Sequence, residues 1–141
     1  MADALVVYWS GTGNTEIMAR KVAEGLESEG LTVDLKSVEE VSPSDVMSYS
    51  RVAFGCPSMG VEVLEEETFE PFFAEVENEL GGVKVALFGS YGWGEGEWMD
   101  TWKARTEDTG ADLFDTLIVN EIPTQDDEED CVRFGQDFAS F

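Results

Sequence analysis

Residues Ser10-Gly11-Thr12-Gly13-Asn14-Thr15 bring two glycines, three hydroxyls and an amide together directly ahead of a stretch with helical periodicity. The glycines let backbone N–H groups converge, and a helix N-terminus adds partial positive charge, so the loop is an anion nest. It contains no Lys or Arg. A bound phosphate would therefore be held by hydrogen bonds and the helix dipole, not by formal countercharge. The same residues would also serve as an ordinary polar strand-to-helix turn with an N-cap. A P-loop requires Gly-Lys-Ser/Thr, and residues 1–20 contain no Lys, which argues against nucleoside triphosphate hydrolysis. A dinucleotide fingerprint would need a third glycine where Glu16 stands, although Asp34 lies at a suitable distance for a ribose contact.

A second group is Ser90-Tyr91-Gly92-Trp93-Gly94-Glu95-Gly96-Glu97-Trp98, in which aromatic residues are interleaved with three glycines. The polarity of its neighbours puts this segment at the surface. There an aromatic ring suits stacking on a flat ligand, and the Met59 thioether could cover the opposite face. Trp93 could equally be a partly buried loop anchor. Taken together, the nest, Met59 and Trp93 describe a phosphorylated, planar, aromatic ligand. Glu62, Glu65, Glu66, Glu67 and Glu70 form an acidic run beside it, and Asp126 to Asp130 form another. Most of these read as solvated surface charges. Their field would oppose the gain of negative charge by a reducible ligand and so lower its potential.

The elements that must position these loops alternate in type. Leu5 to Trp9 is an apolar run. From Asn14, Met18, Val22 and Leu26 recur every four residues beside Ala19 and Ala23, and Gly30 stands at the C-cap position. Leu31, Val33 and Leu35 alternate with polar residues, as in an edge strand with one wetter face. Ser42-Pro43 starts a short helix, and Arg51 to Cys56 is a third strand. Phe69, Phe72, Phe73, Val76 and Leu80 form a helical core stripe closed by Gly81-Gly82. Strands at Val83 to Gly89 and Leu113 to Val119 and helices at Trp98 to Thr109 and Gln125 to Ser140 complete the pattern. This predicts an α/β fold, an open doubly wound parallel sheet with helices on both faces. Its ligand belongs outside the carboxyl ends of the strands, where the loops at 10–15, 57–67 and 90–98 emerge.

The 141 residues fit one domain, 1–141, with 43% hydrophobic residues for a core. A net charge of −23 repels nucleic acid and anionic membrane surfaces and favours partners with basic docking faces. With no His, every His-dependent triad or metal site is excluded. Cys56 and Cys131 are too few for an all-Cys iron–sulfur cluster and read as buried small hydrophobes. The N-terminal segment lacks a basic region and a run of membrane-spanning length, so a cytoplasmic protein is expected.

Tyr8-Trp9-Ser10-Gly11-Thr12-Gly13-Asn14-Thr15, the Met59-Gly60 to Glu70 segment, and Ala86-Leu87-Phe88-Gly89-Ser90-Tyr91-Gly92-Trp93-Gly94 carry a resemblance spanning the whole chain. The sequence resembles the flavodoxins, specifically the short-chain type of anaerobic bacteria. The resemblance implies a five-stranded sheet of order 2-1-3-4-5, noncovalent FMN, and low-potential one-electron transfer between redox enzymes by a monomer with no turnover of its own. Ser10, Gly11, Thr12, Gly13, Asn14 and Thr15 would bind the phosphate with support from Ser90. Met59 would pack on the inner ring face and Trp93 on the outer. Gly60 would turn its carbonyl to flavin N5 after one-electron reduction, Glu62 would accept from N3–H, and Gly92 would donate to the pyrimidine end. Ser58, Val61, Tyr91 and Gly96 complete the implied cofactor contacts. Val61 stands where relatives often carry Asp, and a β-branched residue resists the positive φ that one form of the Met59-Gly60-Val61-Glu62 turn requires.

Two other functions can be weighed. A small FMN-dependent NAD(P)H or quinone reductase would need a further pocket, and few basic residues are available to hold a pyridine dinucleotide. A phosphate-sensing receiver module would need acidic residues where Trp9-Ser10 and Cys56-Pro57 stand.

Overall fold

In the computed structural model, residues 2–59, 63–92 and 94–141 are described. Five parallel strands, β1 (Ala4–Tyr8), β2 (Val33–Ser37), β3 (Arg51–Gly55), β4 (Lys84–Tyr91) and β5 (Asp112–Asn120), form one sheet in the order β2-β1-β3-β4-β5. The helices are α1 (Asn14–Ser28), α2 (Pro43–Val46), α3 (Phe69–Val76), α4 (Glu97–Glu107) and α5 (Gln125–Ala139). Because every pairing is parallel, the carboxyl ends of the strands all open on one side. This is the expected architecture and order.

The period of two along the central strands divides the core into two layers. Leu5, Val7, Val52, Phe54, Val85 and Leu87 face one side and pack with Phe69, Phe73, Leu80, Trp98 and Trp102. Ala4, Val6, Ala53, Ala86 and Phe88 face the other and pack with Met18, Val22, Leu26, Phe134 and Phe138 of α1 and α5. Central strands buried on both faces read as continuous apolar runs for this reason. Helices α1 and α5 approach closely. A Cβ on Gly25 would lie 2.0 Å from the Val132 carbonyl oxygen, and one on Gly135 would lie 2.2 Å from that of Val22.

Several sequence boundaries shift. Helix α3 ends at Val76 and continues as a 3-10 turn over Glu77–Glu79, which still delivers Leu80 to the core. Strand β4 runs through Ser90 and Tyr91, which pair with Val119 and Asn120, so these residues belong to the sheet and not to a loop. Strand β2 is an edge, as expected; all its residues are partly buried, and Val33 and Leu35, with Leu31 ahead of it, pack against the core layer of α1 and α5. The other edge, β5, carries a register irregularity opposite Val85 to Leu87.

Candidate functional site

Strand β1 ends at Tyr8, and the Trp9 N–H still donates to the Gly55 carbonyl at 3.0 Å, so the chain leaves the sheet beside β3. The nest then closes on itself, with the Gly13 N–H donating to Ser10 Oγ at 3.0 Å. Gly13 takes φ 97°, a conformation that L side chains rarely adopt, and stands at the N-cap of α1 with no side-chain cap. The first turn of α1 thus faces the loop without a capping side chain of its own. Gly11 lies under the Trp9 indole, since a Cβ there would meet the ring at 2.9 Å. Thr15 is buried beneath the nest, and its hydroxyl shares a 2.9 Å hydrogen bond with that of Ser90. This bond ties α1 to β4.

The second loop leaves β3 through Cys56, whose N–H donates to the Phe88 carbonyl at 3.1 Å. Ser58 N–H reaches the Ser90 carbonyl at 3.0 Å. Met59 and Val63 then form an antiparallel bridge, with N–H to carbonyl distances of 2.7 and 3.0 Å. Gly60, Val61 and Glu62, which follow Met59 in the chain, and Trp93, all expected to contact the cofactor, lie outside the described residues. Gly89 has to be glycine at this crossing, because a Cβ would lie 2.1 Å from the Cys56 carbonyl oxygen.

These loops border a pocket of about 610 Å³ lined by Trp9, Gly11, Thr12, Asn14, Pro57, Ser58, Met59, Ser90, Tyr91, Gly92, Glu121 and Ile122. Its volume is that of an ordinary small-molecule or cofactor site. The structure thus brings eight of the described candidates, Gly11, Thr12, Asn14, Ser58, Met59, Ser90, Tyr91 and Gly92, to one cavity. Ser10 and Gly13 shape the nest, Thr15 supports it from below, and Gly96 is the left-handed N-cap of α4, away from the pocket lining.

Glu121 and Ile122 were not anticipated. They follow β5, the fourth strand whose carboxyl end reaches the pocket. Glu121 has φ 57°, a left-handed conformation unusual for a residue with a side chain. It is held by its N–H to the Tyr91 carbonyl at 2.6 Å, which also accepts from the Asn120 side-chain amide at 3.3 Å. Ile122 is 71% exposed at the rim. The signal was available, since the rule that ligands gather at strand carboxyl ends applies to β5 as well.

Trp98, expected at the junction of the surface loop and a helix, lies in α4 and is not on the surface but buried in the core, with its ring 5.6 Å from that of Tyr91. Most of the described acidic residues expected to be solvated, among them Glu66, Glu67, Asp126, Glu129 and Asp130, are exposed, but two in the first run are not free surface charges. Glu65 is buried, and Glu70 receives two hydrogen bonds of 2.6 and 2.7 Å from Arg105. Arg105 also binds Glu77, and these carboxylates, Glu70 first, raise its pKa further. Asp34 accepts a hydrogen bond from the Tyr49 hydroxyl, so it is occupied elsewhere on the sheet edge and does not line the pocket.

The chemistry of the lining fits a flavin mononucleotide. No Lys or Arg lines the cavity among the described residues, so phosphate recognition falls to hydroxyls, the Asn14 amide and the end of α1. The Trp9, Met59 and Ile122 side chains give the rest of the lining an apolar character suited to a flat ring. Burial pushes the Cys56 thiol far up and raises that of Cys131 to about 12, so neither is a nucleophile at neutral pH. No group of three or more potential metal ligands occurs among the described residues, and no helix there is long and apolar enough to cross a membrane.

A doubly wound sheet with a cation-free phosphate nest beside an apolar slot defines a flavin-nucleotide-binding α/β protein. The family model for flavodoxin matches residues 6–135. The chain is 50% identical to the flavodoxin of Megasphaera elsdenii over 131 residues, covering 93% of this chain and 94% of the relative. It is 42% identical to that of Clostridium beijerinckii over 135 residues, covering 96% and 98%. The solution structure of two-electron reduced Megasphaera elsdenii flavodoxin superimposes with a TM-score of 0.90 at 48% identity, covering 98% of this chain and 99% of that one. The chain belongs to the flavodoxin family, small electron carriers that bind FMN.

Proposed function

We propose that this chain is a single-domain, monomeric, cytoplasmic carrier that holds FMN noncovalently, passes low-potential electrons singly between redox enzymes, and has no substrate turnover of its own. The observation that carries this reading is the pocket itself, with a phosphate nest lacking countercharge at one end and an apolar, exposed rim at the other. When bound, the flavin supplies the redox chemistry. The protein's residues bind and orient it. Ser10, Thr12 and Asn14 with the first turn of α1 hold the phosphate, while Thr15 and Ser90 keep that turn in register with β4. Ser58 and Met59 stand along the ring, with Tyr91 and Gly92 at its polar end. Trp93, Gly60, Val61 and Glu62 take the roles that the family resemblance implies.

The pocket lining contains no cation that could hold a second, pyridine nucleotide among the described residues, which supports transfer from a separate reductase. The net charge of −23 supports partners with basic docking faces. The test is to load the protein with FMN and add NADH or NADPH alone and then with a flavodoxin reductase. Reduction only in the second case is expected. Steady NAD(P)H oxidation without a reductase would make the protein an enzyme.

A further inference from the structure

The loop that carries Met59 is a closed excursion from the sheet. It leaves at Cys56 and returns to the same residue, because the Glu65 N–H donates to Cys56 Sγ at 3.4 Å. Between these points the Met59–Val63 bridge narrows the loop, and Leu64 is buried in the core. What holds the returning end is the Glu65 side chain. It is only 6% exposed. Its Oε1 accepts from the Thr68 and Phe69 N–H groups at 2.8 and 2.7 Å, and its Oε2 accepts from the Glu67 N–H at 2.9 Å. Helix α3 has no side-chain cap at Thr68, so Glu65 satisfies the start of that helix from outside it. Phe69 is itself fixed in the core, with its ring 5.4 Å from that of Trp102. No Lys or Arg pairs with the Glu65 carboxylate among the described residues; the three amides and the positive end of α3 are what stabilise its charge.

We propose that Glu65 is a positioning residue for the flavin, its buried carboxylate clasping the start of α3 and thereby setting where Met59 stands in the pocket. This rests on the reading above that Ser58 and Met59 stand along the ring. Neither close substitute preserves the clasp. Gln offers one oxygen for Thr68 and Phe69 but turns an NH₂ toward the Glu67 N–H, donor against donor. Asp keeps the charge but is one methylene too short to span the three amides.

The test compares E65Q and E65D with E66Q, which removes the same charge from the exposed neighbour. Affinity for FMN and riboflavin and the potential of the first reduction step are measured on folded, flavin-loaded protein, beside the unfolding midpoint of the apoprotein. Both Glu65 variants should weaken FMN and riboflavin equally, on the order of tenfold, since the ring loop and not the nest is loosened. Both should also move the first potential in the same direction, with E66Q near the parent. If E65Q does not fold, E65D carries the comparison. Variants that lower only the unfolding midpoint would make Glu65 a structural cap, and an E66Q shift matching E65Q would reduce the effect to charge. Either result overturns the proposal. M59A separates the two readings. If M59A alters affinity while the Glu65 variants do not, the positioning role fails alone. If M59A is also silent, the assignment of the loop to the ring fails with it.

Discussion

Thr12, in the nest, and Thr15, in the first turn of α1, sit three residues apart, yet the structure gives them different jobs, and their alanine variants should separate those jobs. Thr12 lines the pocket and is exposed. Its removal costs a hydrogen bond to a charged phosphate, about 1.5 to 3 kcal/mol when fully formed, and water can replace part of it. A loss near 1 to 2 kcal/mol, roughly five- to thirtyfold in FMN affinity, is expected for Thr12→Ala, with apoprotein stability close to the parent. Thr15 is buried and bonded to Ser90 at 2.9 Å, and Ser90 is buried too. Thr15→Ala leaves the Ser90 hydroxyl without that partner, which adds about 1 to 3 kcal/mol of folding cost to the loss of binding. The assay is flavin fluorescence quenching with FMN and with riboflavin, together with urea unfolding of the apoproteins. Riboflavin, which lacks the phosphate, should be almost indifferent to Thr12→Ala. Equal losses for both flavins would refute the placement of the phosphate in the nest, and an unaltered midpoint for Thr15→Ala would refute the supporting role.

Other consequences follow from packing and charge. Gly89→Ala should destabilise the fold by about 3 kcal/mol or prevent folding, since the new Cβ would press on the Cys56 backbone within the central sheet; a normal unfolding midpoint would contradict this. Tyr49 should titrate near pH 12, raised chiefly by its hydrogen bond to Asp34. The stability from that bond should be fully present below about pH 10 and disappear as pH rises through the folded value, a feature absent from Tyr49→Phe in alkaline unfolding curves. Electron transfer with a basic partner should be fast at low ionic strength and slow as the Debye length falls to about 10 Å at 0.1 M; a salt-independent rate would count against charge-guided docking.

The parts of this protein that sequence shows clearly are those where one local pattern has one structural cause. Met18, Val22 and Leu26 could only be the buried stripe of a helix, and the glycines and hydroxyls of residues 10–15 could only precede its N-terminus usefully. The sheet order followed from the family resemblance and holds. Less visible were features set by partners distant in the chain. Ser90, Tyr91 and Gly92 look like turn residues, but pairing of the first two with Val119 and Asn120 extends β4. Glu65 is one of several glutamates in a run, and only the fold reveals that it points inward to three amides while Glu66 stays exposed. The contact of Gly25 with the Val132 backbone spans most of the chain, and no local spacing announces it. Ile122 reaches the pocket because the strand before it ends on the same side as the others, although its own segment carries no local binding motif.

The most direct test of the account is a reductive titration of the FMN-loaded protein followed by absorption spectroscopy. A carrier of single electrons should accumulate one-electron-reduced flavin as the main species near half-reduction and hold it without disproportionation. Direct conversion from oxidised to fully reduced flavin, with no such species at any stage, would contradict the assignment of this pocket to one-electron transfer.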